Sequence, residues 1–120
     1  MADRVLFIAW DQPVRGREER ALEVFDEAVG YYGRLQQEGR IEGFDVVFLA
    51  PSGGLDGYIQ LHGATQQLAV LREDETFQRI LVDASLVVDG LRLVDGFANA
   101  GIAERLELYR NAIGKVPQAH

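Results

Sequence analysis

Three polar side chains at alternate positions could do chemistry together: Tyr58, Gln60 and His62. The run from Tyr58 to His62 alternates polar and apolar residues, so the three are predicted to share one face of a strand. His62 is the internal one of the chain's 2 histidines, and it could act as a general base or donate a hydrogen bond to an enolate oxygen. The alternative is a polar network at a subunit interface, in which His62 is hydrogen-bonded at the strand end.

Trp10 and a group of arginines could bind a ligand near one end of the same sheet. Trp10 ends the first apolar run and could stack on a flat ligand at a cavity mouth, although a strand-end tryptophan equally fits core packing. Arg15 belongs to an arginine group at the start of the next element, and a guanidinium fork suits a carboxylate-bearing ligand. The group consists of Arg15, Arg17 and Arg20. Interleaved glutamates favour the alternative of a solvated, mutually paired surface.

The composition excludes several classes of site. The 120 residues include 19 acidic and 12 basic side chains, and the resulting net charge of −7 repels a nucleic-acid backbone. Without cysteine the chain has no disulfide, thiolate zinc site, iron–sulfur cluster or cysteine nucleophile. Its histidines do not suffice for an all-histidine metal site. We therefore predict no metal and no cofactor.

Length and hydropathy predict a single domain over residues 1–120 in a protein of the cytoplasm. Hydrophobic residues make up 48% of the chain and charged residues 26%, as in ordinary globular proteins. The apolar run from Val5 to Trp10 stops at Asp11, which is too short for a secretory signal. No stretch approaches the roughly 18 apolar residues of a membrane span, so no membrane partner is expected.

Hydrophobic patterning predicts four strands. Residues 5–10 are apolar without a polar face, and so are residues 46–49 of a second strand over 44–49, which is typical of strands buried on both sides. Asp45 interrupts the second run and is expected to face solvent at a sheet edge. Residues 58–62 alternate and form the third strand. The fourth, 91–95, is bounded by two Val-Asp-Gly tripeptides that are interpreted as turns, the second of them at 94–96.

Apolar residues at steps of three and four predict the helices. The first helix carries such a stripe over residues 21–35. Thr65 is predicted to cap a short second helix, and Asp74 is predicted to cap its continuation over 77–88. A closing amphipathic helix covers residues 102–116.

The order of these elements is β-α-β-β-α-β plus a C-terminal helix, the split βαβ arrangement of ferredoxin-like folds. In this α+β topology the first and third strands are central in a four-stranded antiparallel sheet, and helices cover one sheet face. The other face should be polar in a monomer, yet the first two strands are apolar on both sides. We therefore predict a homodimer in which an identical sheet covers that face.

The element order, together with the segment Thr65–Phe77, resembles the dimeric α+β barrel superfamily. Its families include antibiotic-biosynthesis-type monooxygenases, stress-responsive barrel proteins and YCII-related proteins, in which a short helix, an acidic kink and an aromatic residue follow the third strand. Heme-degrading members use an asparagine, a tryptophan and a histidine, but Asn99, Trp10 and His62 lie on elements that do not match. YCII-type proteins have a histidine and aspartate pair near the first strand, where this chain has Trp10 and Asp11.

The resemblance implies a homodimeric α/β barrel whose cleft between sheet and helices holds a small apolar or aromatic molecule. For an enzyme, it implies a cofactor-independent oxygenase, isomerase or similar reaction on an enolisable substrate. His62 would then move the proton, Tyr58 and Gln60 would orient the oxygen, and Trp10 would form the apolar wall. The alternative is a non-enzymatic binding or dimerisation module with a packed interior. A ligand-sized cavity that touches His62 would favour the first hypothesis.

Overall fold

The computed structural model of the chain describes residues 2–117 and 119. Strands and helices follow one another in the predicted order, with the second predicted helix divided into two. The elements are β1 (Arg4–Trp10), α1 (Glu18–Gln37), β2 (Gly43–Phe48), β3 (Gly57–Gly63), α2 (Thr65–Arg72), α3 (Glu75–Ser85), β4 (Arg92–Phe97) and α4 (Ala100–Ile113).

The strands form an antiparallel sheet in the order β2-β3-β1-β4. The first and third strands are therefore central, as predicted. In the register of β1, Leu6 lies opposite Leu61 of β3, and Phe7 lies opposite Gln60 of β3 and Val94 of β4. Because paired residues of antiparallel strands point to the same side, this register decides which side chains share a sheet face.

One face of the sheet packs against the helices and forms the core. Leu6 and Ile8 of β1 and Ile59 and Leu61 of β3 are buried there, each at most 4% exposed. Helix α1 supplies the opposing layer through an apolar stripe with helical spacing. The buried residues of that stripe are Val24, Ala28, Tyr31, Tyr32 and Leu35.

The opposite face of the sheet, called the open face below, carries no helix of the described chain. Phe7 and Tyr58 lie side by side on it, with ring centroids 4.8 Å apart. Val94 of β4 belongs to the same face and is 50% exposed. β2 presents Val47 and the exposed Asp45 on this face, so the prediction that β2 is apolar on both sides is wrong at Asp45. Asp45 itself faces solvent on an edge strand, as predicted.

Two local predictions at element ends are also wrong. Thr65 is not the cap of α2: the capping position is Ala64, whose backbone N–H donates to the side chain of Gln67 at 2.8 Å. Val94 and Gly96 lie inside β4 instead of forming a turn. A Cβ atom on Gly96 would come within 2.6 Å of the Val5 side chain, so glycine permits the close approach of β4 to β1.

Helix α4 projects from the sheet and has one buried residue, Gly101. Gly101 packs against the backbone of Asp3. The predicted apolar stripe is present but solvent-exposed: Ile102 is 48% exposed, Leu106 46% and Tyr109 65%. Within the described residues, none of the helices combines the length and apolarity that a bilayer crossing requires.

Candidate ligand-binding site

A cavity of about 290 Å³ lies between the covered face of the sheet and helices α1 and α3. Its lining is almost entirely apolar, and it opens toward the Trp10 end of β1. Glu18 is the charged residue of the lining, and Trp10 and Tyr32 bring the other side-chain polar atoms. The apolar lining includes Ile8, Pro13, Ala21, Leu22, Val24, Phe25, Ala28, Phe48, Ile59, Ile80, Leu81, Ala84, Val87, Val88 and Leu91.

Small side chains on the two helices leave the space open. Ala21 and Ala28 lie on the cavity side of α1, seven positions and therefore about two helical turns apart. Ala84 faces them from α3. A leucine at any of these positions would occupy part of the volume, so the cavity depends on the choice of alanine at core-facing sites.

Three aromatic rings form one wall of the cavity. Trp10 meets Phe25 edge-on at 6.3 Å between ring centroids and Phe48 at 6.4 Å, while Phe25 and Phe48 lie 5.1 Å apart. Phe48 is 66% exposed, which places this cluster at the rim rather than in the sealed core. Trp10 therefore lies at the mouth of the cavity, packed against two other rings, and its contact with a ligand stays a prediction.

The loop before α1 is fastened to the end of α3 and holds the rim in place. The backbone N–H of Asp11 donates to the carbonyl oxygen of Asp89 at 2.8 Å, and that of Val14 donates to Val87 at 2.8 Å. The guanidinium of Arg17 donates to the carbonyl oxygen of Leu86 at 2.6 Å. These bonds join two segments far apart in sequence around the cavity entrance.

The other predicted ligand residues lie elsewhere. Tyr58, Gln60 and His62 do share one strand face as predicted, but this is the open face, across the sheet from the cavity. The structure therefore separates them from Trp10. A catalytic role for His62 stays a prediction, and a pocket around it would have to form on the open face.

His62 pairs with Asp45 of the neighbouring strand on that face. The distance from its Nε2 atom to Oδ2 of Asp45 is 2.5 Å. The His62 side chain is 28% exposed and that of Asp45 61% exposed. The His62 ring is thus hydrogen-bonded at the strand end, as the alternative hypothesis expects, and the Asp45 carboxylate orients it.

The arginine group lies near the rim without entering the cavity. Arg15 is exposed in the loop before α1 and lies between two lining residues in sequence, Pro13 and Glu18. Arg20 pairs with Glu23 at 3.2 Å and with Asp83 at 3.6 Å. Arg20 therefore belongs to a mutually paired surface, as the alternative expects. A role of Arg15 in anion binding stays a prediction.

A charged cluster that the sequence reasoning did not find connects α1 with α3. Asp74 caps α3 as predicted, accepting from the backbone N–H of Phe77 at 3.0 Å. Its carboxylate also accepts from the Tyr31 hydroxyl at 2.6 Å and from Arg40 at 2.9 Å. These bonds, that of Tyr31 foremost, lower the pKa of Asp74 to about 2, while burial and then the bond to Asp74 raise the pKa of Tyr31 to about 12.

Comparisons with solved structures agree with this architecture. A dimeric protein of unknown function and ferredoxin-like fold from Bacteroides fragilis aligns with a TM-score of 0.58 and 11% identity, over 79% of this chain and 96% of that chain. SnoaB, a cofactor-independent oxygenase from Streptomyces nogalater, aligns with a TM-score of 0.50 and 14% identity, over 82% and 93% respectively. No family model matches the chain, and neither does a curated protein sequence.

These similarities confirm the predicted fold class. The chain has a ferredoxin-like α+β fold, with an antiparallel four-stranded sheet and helices packed on one face. At identities of 11% and 14%, these structural alignments establish the fold alone, and the activity has to be argued from the site.

Proposed function

We propose that this protein binds a small apolar or aromatic molecule in the cavity between its sheet and helices α1 and α3. The observation that carries the proposal is the apolar cavity of about 290 Å³. Protein interiors are close-packed, with few voids larger than a water molecule. A cavity near the lower end of the usual ligand-pocket range of about 300–1,000 Å³ suits a small ligand. The cavity does not touch His62, so it supports ligand binding away from that residue and does not meet the criterion set above for the first hypothesis.

Reducing the cavity volume tests the binding function directly. Ala84→Leu should fill part of the space and weaken the binding of tetralin, a two-ring hydrocarbon, by at least about tenfold, since the lost contact area is apolar. Trp10 is the chain's single tryptophan and lines the cavity, so its fluorescence reports occupancy. Ala69→Leu is the matched control, because Ala69 is exposed on α2 and outside the lining. Equal tetralin binding by both variants would refute a site in this cavity.

Native mass spectrometry of the freshly purified protein is a complementary test that needs no chosen ligand. We expect extra non-covalent mass on the protein, and loss of that mass in Ala84→Leu. Mass retained by Ala84→Leu would place the bound molecule outside the cavity.

We further propose that the protein works as a homodimer joined through the open face. The supporting observations are the Phe7–Tyr58 ring pair and the half-exposed Val94 on a sheet face without a helix. Exposed apolar patches of this kind mark interaction surfaces. The Bacteroides fragilis protein, described as dimeric, has the same fold. A second copy of the same face would cover both patches at once.

A more specific proposal is that the protein is an enzyme and catalyses a cofactor-independent reaction like that of the oxygenase SnoaB. A reaction in the cavity would have Glu18 and Tyr32 as the titratable side chains of the lining. His62 would contribute only to chemistry on the open face, between two copies. Turnover assays on an enolisable compound that binds the cavity, with Tyr32→Phe and His62→Ala compared, would distinguish the two locations.

A further inference from the structure

Tyr32 is a buried polar residue whose hydroxyl has no hydrogen-bond partner among the described residues. Its side chain is 1% exposed and lies among Phe44 and Phe77, with ring centroids 6.1 and 6.4 Å away. Within residues 2–117 and 119, no side chain or backbone group forms a hydrogen bond with the Tyr32 hydroxyl, whereas the adjacent Tyr31 bonds Asp74. Buried hydroxyls are normally paired, so an unpaired one calls for a physical reason.

The position of Tyr32 supplies that reason, because the residue lines the cavity. Among the described side chains, the polar atom that is fully enclosed without a partner is Oδ1 of Asp3. The Tyr32 hydroxyl is therefore not fully enclosed, and the open space that this residue lines is the cavity. Burial raises the pKa of Tyr32, so the hydroxyl keeps its proton and remains a donor.

The second polar group of the lining is also a donor. The indole N–H of Trp10 can only donate, and it forms no hydrogen bond with the described part of the chain. The lining contains no cationic side chain, and its one charge is the carboxylate of Glu18. The carboxylate disfavours an anion, and the two donors suit a neutral ligand with a hydrogen-bond acceptor, such as a carbonyl group.

Volume limits the size of the ligand. A cavity of about 150 Å³ holds benzene. The present cavity of about 290 Å³ is nearly twice as large, which corresponds to a compound of two fused rings. We infer that the cavity takes a neutral bicyclic ketone whose carbonyl oxygen accepts a hydrogen bond from the Tyr32 hydroxyl. This inference rests on the proposed binding function and adds the ligand's polar group and its partner.

The test compares two probes that differ in one oxygen, 1-tetralone and tetralin, on the full chain. In Tyr32→Phe we expect the affinity for 1-tetralone to fall about three- to tenfold, which is the usual net value of one neutral hydrogen bond. The affinity for tetralin should stay within about twofold, since the ring of residue 32 is retained. Tyr109→Phe is the matched control, because Tyr109 is 65% exposed on α4 and lies outside the cavity lining. It should leave the ratio of the two affinities unchanged.

The outcomes separate the inference from the function on which it rests. If the parent protein binds neither probe, the inference and the proposed binding function both fail. If it binds both and Tyr32→Phe changes the two affinities equally, the cavity function stands and the role of Tyr32 is refuted. A measurement on the unsubstituted protein guards against a folding defect in the variant: the carbonyl stretch of bound 1-tetralone should move to lower frequency than in an alkane, and an unshifted band would overturn the inference.

Discussion

The hydroxyl of Tyr31 donates a hydrogen bond to Oδ1 of Asp74 at 2.6 Å, across 43 positions of sequence. Arg40 binds the other carboxylate oxygen at 2.9 Å. One carboxylate therefore joins α1, the segment that follows α1, and the first turn of α3. Since α1 and α3 form the helical wall of the cavity, this junction fixes the spacing of the two helices at the end far from Trp10.

Asp74→Asn should make the protein less stable in a pH-dependent way. The folded-state pKa of Asp74 is about 2, below its ordinary 3.8, so the carboxylate contributes stability above about pH 4 that is lost as the pH falls through about 2. Asparagine can still cap α3 but cannot pair with Arg40. We expect a loss of about 1–2 kcal/mol at neutral pH. Urea unfolding between pH 2 and 7 should show the difference from the parent shrinking in acid.

Asp26→Asn provides the control for that experiment, because Asp26 is exposed on α1 and pairs with no residue of the described chain. Its stability difference from the parent should stay small. A loss in Asp74→Asn that is independent of pH would contradict the role assigned to the ionised carboxylate.

Tyr31→Phe should raise the pKa of Asp74. The bond from the Tyr31 hydroxyl is the largest of the contributions that lower this pKa, and phenylalanine removes it without changing the ring. The bonds from Arg40 and the backbone of Phe77 remain, so the pKa should rise only part of the way toward 3.8. Carboxyl carbon shifts followed by NMR during an acid titration measure it. An unchanged midpoint would show that the hydroxyl contributes nothing to the ionised form.

Phe7→Arg should dissociate the proposed dimer. Phe7 lies in the centre of the open face, where a charge facing the same charge of a second copy is unfavourable and loses the apolar contact. Val82→Arg is the matched control, because Val82 is 59% exposed on the outer side of α3. Light scattering coupled to size-exclusion chromatography should give monomers for Phe7→Arg and dimers for Val82→Arg. Dimers in both variants would place the contact on another surface, with the exposed stripe of α4 as the next to test.

His62→Ala should leave ligand binding in the cavity unchanged, because His62 and the cavity lie on opposite sides of the sheet. The affinity for tetralin, followed by Trp10 fluorescence, should stay within about twofold of the parent value, as expected for a residue that contacts neither ligand nor lining. Phe25→Ala, which removes part of the aromatic wall, should weaken binding by about tenfold or more. A large effect of His62→Ala would indicate a second site or a coupling across the sheet.

The sequence predicts the features that depend on local patterns and misses those that depend on contacts between distant segments. Alternation and helical spacing are local, so the strand order, the central β1 and the shared face of Tyr58 and His62 were all predictable. Which sheet face the helices cover depends on packing between distant segments, and this decided that Trp10 faces the cavity while His62 does not. The Tyr31–Asp74 bond is likewise a long-range contact. A tyrosine within an apolar helical stripe was the signal that could have identified Tyr32.

Two glycines should respond in opposite ways to alanine substitution. Gly33 lies inside α1, and a Cβ atom there would meet nothing within 4 Å, so Gly33→Ala should stabilise the protein by about 0.5–1 kcal/mol through helix propensity. In Gly96→Ala the new Cβ atom would lie 2.6 Å from the Val5 side chain, which is β-branched and has little freedom to move. We expect a loss of about 1–3 kcal/mol, partly restored in the double variant with Val5→Ala. Thermal unfolding of the parent, Gly33→Ala, Gly96→Ala, Val5→Ala and the double variant measures both effects. An equal loss from Gly96→Ala with and without Val5→Ala would show that contact with Val5 is not the cause.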